Sequence, residues 1–73
     1  MWLLWHDDTK GRASADKIAG GVQAYRDRFG VGPEQVLVNE ADIAVVPGIR
    51  VESAAHVRAN NFWVGPLVEE GRG

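Results

Sequence analysis

One stretch of the chain carries a clear helical period. From Ala15 to Phe29, apolar residues recur at Ala15, Ile18, Ala19, Val22, Tyr25 and Phe29, three or four positions apart. Lys17, Gln23, Arg26, Asp27 and Arg28 occupy the opposite side. Ser14 is placed to cap a free amide of the first turn, and Asp16 lies where the helix dipole favours a negative charge. Gly30, with Pro33 close behind it, stops the helix. Gly20 and Gly21 sit mid-helix, each costing about 1 kcal/mol relative to alanine. That cost is expected where a helix must lie close to a sheet, a functional kink being the alternative. With one helix in the chain, one face of a small sheet can be covered; either residues 54–68 fold back over the second face or another chain covers it.

The flanking segments read as strands. Met1 to Trp5 or His6 is rich in large apolar residues, and Gln35-Val36-Leu37-Val38-Asn39 is short and β-branched. Strand, helix, strand within about 40 residues is the βαβ pattern, in which the strands are usually parallel. Asn39-Glu40-Ala41-Asp42 reads as a turn, Ile43 to Val46 as a short strand or packed loop, and Pro47-Gly48 as a second turn. Ile49 to Ser53 alternates apolar and charged residues, as a strand with one wet face does. Residues 54–61 carry no clear period, and Phe62-Trp63-Val64 reads as a last strand ended by Gly65-Pro66. The expected fold is α/β (α+β): a single amphipathic helix on a small mixed sheet of three or four strands, in β-α-β-β(-β) order. Residues 1–68 are expected to form one domain and 69–73 a frayed tail.

Composition sharpens the question of the uncovered face. A chain of 73 residues buries only about 60% of the surface its unfolded form exposes, and small domains rely on disulfides, metals or oligomerisation. The absence of cysteine removes disulfides and thiolate zinc sites, and it favours a reducing, cytoplasmic setting. Oligomerisation is the first of the remedies that remain. In the first strand Trp2, Leu4 and His6 point one way while Met1, Leu3 and Trp5 point the other. Both faces are thus largely apolar, as in a strand buried on both sides. Trp2, Leu3, Trp5 and Trp63 are therefore the candidate interaction surface, tryptophan being a common anchor of protein contacts. The alternative is that the three tryptophans fill a small core.

The charges exclude several partner classes. Ten acidic and eight basic side chains, a net charge of −2, leave no basic footprint for nucleic acid. The apolar run from Trp2 to Trp5 is cut off by His6-Asp7-Asp8, too short for a signal peptide or a membrane span. The expected partner is a protein, either a second copy of the chain or another chain, with no membrane and no nucleic acid.

Two clusters carry candidate chemistry. His6, Asp7 and Asp8 end the first strand, where open α/β folds bind ligands, and two carboxylates with an imidazole can hold a divalent cation. The alternative for Asp7 and Asp8 is a solvated turn bonding local amides. An aspartate pair ending a first strand also resembles response-regulator receivers and the small ferredoxin-like CRISPR-associated nucleases, over residues 1–29. Receivers need a phosphoacceptor aspartate and a lysine on later strands, for which this chain is too short, and the nucleases differ in charge and topology. Lys10, Gly11, Arg12 and Ser14 lie before the helix, where free amides favour an anion, but they lack phosphate-loop spacing. Serines 14 and 53 and histidines 6 and 56 form no nucleophilic arrangement in the sequence. The expected function is a non-catalytic interaction module. A metal-dependent enzyme or ligand binder using His6, Asp7 and Asp8 is the alternative.

Overall fold

The computed structural model describes residues 1–68; the expected frayed tail, 69–73, lies outside them. Five regular elements and one short 3-10 turn follow in order: β1 (Leu3–His6), α1 (Ser14–Phe29), β2 (Gln35–Val38), the 3-10 turn Glu40–Asp42, β3 (Arg50–Ser53) and β4 (Asn61–Gly65). This is the expected single helix on a mixed four-stranded sheet. The stretch 43–46 is loop rather than strand, and 54–60 is a series of turns.

The sheet order is β1-β4-β2-β3. β4 runs antiparallel to both β1 and β2, and β3 is parallel to β2. The strands joined by α1 are therefore parallel, as the βαβ pattern predicts, but they are not neighbours. The last strand inserts between them and leaves β1 at one edge of the sheet. Its composition accounts for that central place: Phe62 and Val64 are fully buried, and in register they face Trp5 and Leu3 on one side, Val38 and Val36 on the other.

Alternation along the strands sends Leu3, Trp5, Phe62, Val64, Val36, Val38 and Val51 to one face. There they meet Ile18, Val22 and Tyr25 of α1 to form the core, with Phe29, Ala44, Val46 and Ile49 packed around it. The helix lies over β1 and β4, and the 43–49 loop contributes Ala44, Val46 and Ile49 to the core while Ile43 and Val45 stay exposed. Tyr25 packs edge-on to Phe29, ring centres 4.6 Å apart, and its hydroxyl donates to the Met1 carbonyl at 2.9 Å.

The ends of α1 differ from expectation at one side only. Gly30 closes the helix in the left-handed conformation (φ 76°), its amide donating to the Arg26 carbonyl at 2.9 Å. At the start, Ala13 and not Ser14 is the cap, and no side chain caps the amides. The Ser14 hydroxyl instead donates across the fold to Asp42 Oδ1 at 3.5 Å, so a tertiary partner displaces the local cap.

The glycine pair does allow close approach. A Cβ on Gly21 would stand 3.0 Å from Trp5 Cγ and 3.2 Å from its Cβ, the rigid root of that side chain; one on Gly20 would meet only the outer ring, at 3.4 Å. The two glycines should therefore respond oppositely to alanine. Gly20→Ala gains about 0.5–1 kcal/mol from helix propensity. In Gly21→Ala that gain is set against overpacking of about 1–3 kcal/mol, so the net change is destabilising. Urea denaturation of both variants reads the sign, and stabilisation by Gly21→Ala would contradict the packing of Trp5 on the helix.

Candidate functional site

The sheet face opposite α1 carries no second layer among the described residues. A row of side chains crosses all four strands there, in the register Leu4, Trp63, Leu37, Glu52. Leu4 is 48% exposed, and Trp63 and Leu37 are half-buried. Beside this row the Trp2 ring lies flat against Gly65, so close that any side chain at Gly65 would occupy the ring's position. Gln35 occupies the next register position and donates to Glu52 Oε1 at 2.9 Å. The chain after β4 runs along this end, with the amides of Leu67 and Val68 donating to Glu34 and Gln35. The result is an apolar strip flanked by polar groups, with no second layer over it among the described residues.

The four residues singled out from the sequence do not share that face. Trp2 and Trp63 are on it. Leu3 and Trp5 turn toward α1, where they pack against the core. Strand parity thus divides the tryptophans: Trp5 packs against the core, and Trp2 and Trp63 lie half-buried on the other face. Leu3 and Trp5 do reach the surface at the sheet edge, where with Leu4, Ala24, Asp27 and Arg28 they line an open groove of about 510 Å³ between β1 and the helix. Leu4 and Leu37 were missed as surface residues. Parity along each strand was the available signal, but which face lacks a cover depends on where β4 inserts.

The acidic cluster at the end of β1 forms a turn. Asp7 Oδ1 accepts the Thr9 amide at 3.0 Å, and Asp7 Oδ2 lies 3.3 Å from Arg12 Nε. The Thr9 hydroxyl, the Thr9 amide and then the Arg12 and Lys17 cations hold the Asp7 carboxyl below its ordinary range. His6 Nδ1 is 3.0 Å from Asn61 Oδ1, and His6 Nε2 is 3.7 Å from the exposed Asp8. Among the described residues no three histidine, cysteine, aspartate or glutamate side chains group as metal ligands do; Asp7 is turned to Thr9 and Arg12, while His6 and Asp8 approach each other. Nor do the candidate anion ligands converge: Arg12 is paired with Asp7, Ser14 is turned to the Asp42 carboxylate, and Gly11 takes the turn at φ 79°. Lys10 is exposed.

Asp7 has a pH signature. Its lowered pKa means the folded state favours the ionised form, so its contribution is present above the unfolded-state pKa and fades as pH falls through the folded one. Thermal melts taken downward through the carboxylate range should show stability falling with acid, and Asp7→Asn should flatten part of that fall. An unchanged pH profile in Asp7→Asn would remove the turn as its source.

The most buried polar network is one that the periodicity misplaces. Lys17, assigned above to the wet side of the helix, is buried, as is Asp42. Lys17 Nζ donates to Asn60 Oδ1 at 2.9 Å, and the Asn60 amide donates to Asp42 Oδ2 at 2.7 Å. Asn60 is the one non-glycine residue among those described with a left-handed backbone, φ 66°, a conformation that asparagine tolerates. Asn39 accepts from the Ala41 amide and donates to the Val57 carbonyl. Together these contacts lock the 54–60 turns over the ends of β1 and β2, a structural assignment for residues that flank the acidic turn. A cleft of about 460 Å³ between Asn39, Glu40, Ser53, Ala54 and Ala55 lies beyond the ends of β2 and β3 and carries a single carboxylate.

Among the described residues no helix is long and apolar enough to cross a membrane. No family model, no curated protein and no solved structure matches the chain.

Proposed function

We propose that the chain is a small non-catalytic interaction module that docks on a protein through the apolar surface around β1. The observation that carries this reading is the uncovered row of Leu4, Trp63 and Leu37 on a sheet whose single helix is committed to the other face. Apolar area of this kind on a small domain is removed from water by a partner more readily than by the chain itself. Aromatic residues at its centre with polar groups at its margin match the anatomy of protein contacts. The free edge of β1 adjoins the same surface, so backbone and side chains can both contribute.

Sedimentation across a concentration range, with acrylamide quenching of tryptophan fluorescence on the same samples, tests the reading. The expected result is mass that rises with concentration or, in a monomer, a tryptophan open to the quencher that Trp63→Phe removes. A monomer at every concentration with all three tryptophans shielded overturns it.

A further inference from the structure

We infer that the partner at the edge of β1 is a second copy of this chain, joined strand to strand about a two-fold axis through Leu4, with the two α1 helices side by side. This rests on the reading that the surface around β1 is a contact surface, and it names the occupant.

The backbone supplies the first support. The Asp7 amide donates to the Asn60 carbonyl at 3.0 Å, and Asp7 continues the register in which Trp5 faces Phe62 and Leu3 faces Val64. Directly bonded pairs alternate along an antiparallel ladder, so Leu3, Trp5 and Asp7 bond to β4. Trp2, Leu4 and His6 then turn their amides and carbonyls to the free edge, where no described strand meets them. Open edges of this kind are templates for another strand. An antiparallel pair centred on Leu4 sets Leu4 against its own counterpart and Trp2 against His6, and on the helix side it sets Leu3 against Trp5. Every outward backbone group of the strand then has a partner, and the uncovered strips of the two copies join.

The helices supply the second. Gly21 packs on Trp5 and the Tyr25 hydroxyl reaches Met1, so α1 runs opposite to β1 with its midpoint above Leu4. Because α1 lies over β1 and β4, pairing two β1 strands at a spacing of about 4.8 Å brings the two helix axes to about 10 Å, the distance of packed helices. The groove at this edge, lined by Leu3, Leu4, Trp5, Ala24, Asp27 and Arg28, is the space that the second helix would close.

Charge supplies the third. The helix ridge on this side reads Asp16, Gly20, Ala24, Arg28, four residues apart. An acid stands at one end and a base at the other, with small residues between. A two-fold axis at the helix midpoint sets Asp16 of each copy opposite Arg28 of the other, and Gly20 opposite Ala24. The ridge is thus complementary to itself in the antiparallel sense and to no parallel copy.

Analytical ultracentrifugation of the full chain over a wide concentration range is the test, with thermal melting to confirm that each variant folds. The chain should dimerise, and Ala24→Arg, which places a bulky cation at the helix contact without touching the core, should weaken the dimer at least tenfold. Arg28→Asp should weaken it too, by setting acid against acid, and the exchange Asp16→Arg with Arg28→Asp should restore it. Trp63→Ser, on the open face, should leave it intact. A monomer at every concentration overturns the inference, and quenchable tryptophan in that same sample leaves the broader reading standing. A dimer that survives Ala24→Arg but is lost in Trp63→Ser places the contact on the open face and also overturns it. Failure of the double exchange to restore the dimer rejects the two-fold arrangement.

Discussion

Phe62→Ala should remove a large part of the stability of the chain. Phe62 is fully buried, lies on the strand that holds β1 and β2 together, and faces Trp5 on one side and Val38 on the other. Truncating a buried phenylalanine costs about 3–5 kcal/mol. A chain of 73 residues has about 4–11 kcal/mol of stability in total, so the loss takes a large part of what holds the fold. Urea denaturation followed by circular dichroism measures it. The midpoint should fall by about a quarter or more, whereas a loss under about 1 kcal/mol would mean that Phe62 is not at the centre of the core.

Asp42→Ala should be the largest polar effect. Its carboxylate accepts from the Asn60 amide and the Ser14 hydroxyl, and through Asn60 it is connected to the buried ammonium of Lys17. Removing it leaves the Asn60 amide and the Ser14 hydroxyl without their acceptor. Hydrogen bonds to charged groups contribute about 1.5–3 kcal/mol, and the loss should fall in that range. It should also be local: amide exchange at Asn60 should quicken far more than exchange in the central strand β4, since the 54–60 turns are what the network secures. Asp8→Ala, on an exposed aspartate, should shift stability by no more than about 0.5 kcal/mol. Equal effects from the two aspartates would remove Asp42 from this role.

The sites divide between what local pattern can carry and what it cannot. The span of α1, its stop at Gly30 and the close approach at Gly21 follow from spacing and residue type. The split of β1 into two apolar faces follows from strand parity. The acidic turn was visible as a cluster, but its geometry was not, because adjacent residues of an extended strand point apart and only Asp7 turns back to Thr9 and Arg12. Lys17 shows the limit most clearly. Its place in the helical period assigns it to solvent, yet Asn60, 43 positions away, supplies a buried acceptor. Ser14 is the same case in reverse, a residue with the chemistry of a cap that bonds Asp42 instead.

The amino-acid sequence by itself determined the helix, the strands around it, their order and the alternation of faces along each strand. Only the tertiary structure decided that β4 enters between β1 and β2. That insertion makes β1 an edge, leaves Leu4, Trp63 and Leu37 uncovered, and places the groove beside α1. Strand neighbours are chosen by the burial of whole faces and by contacts distant along the chain, so periodicity, which records one element at a time, does not contain them.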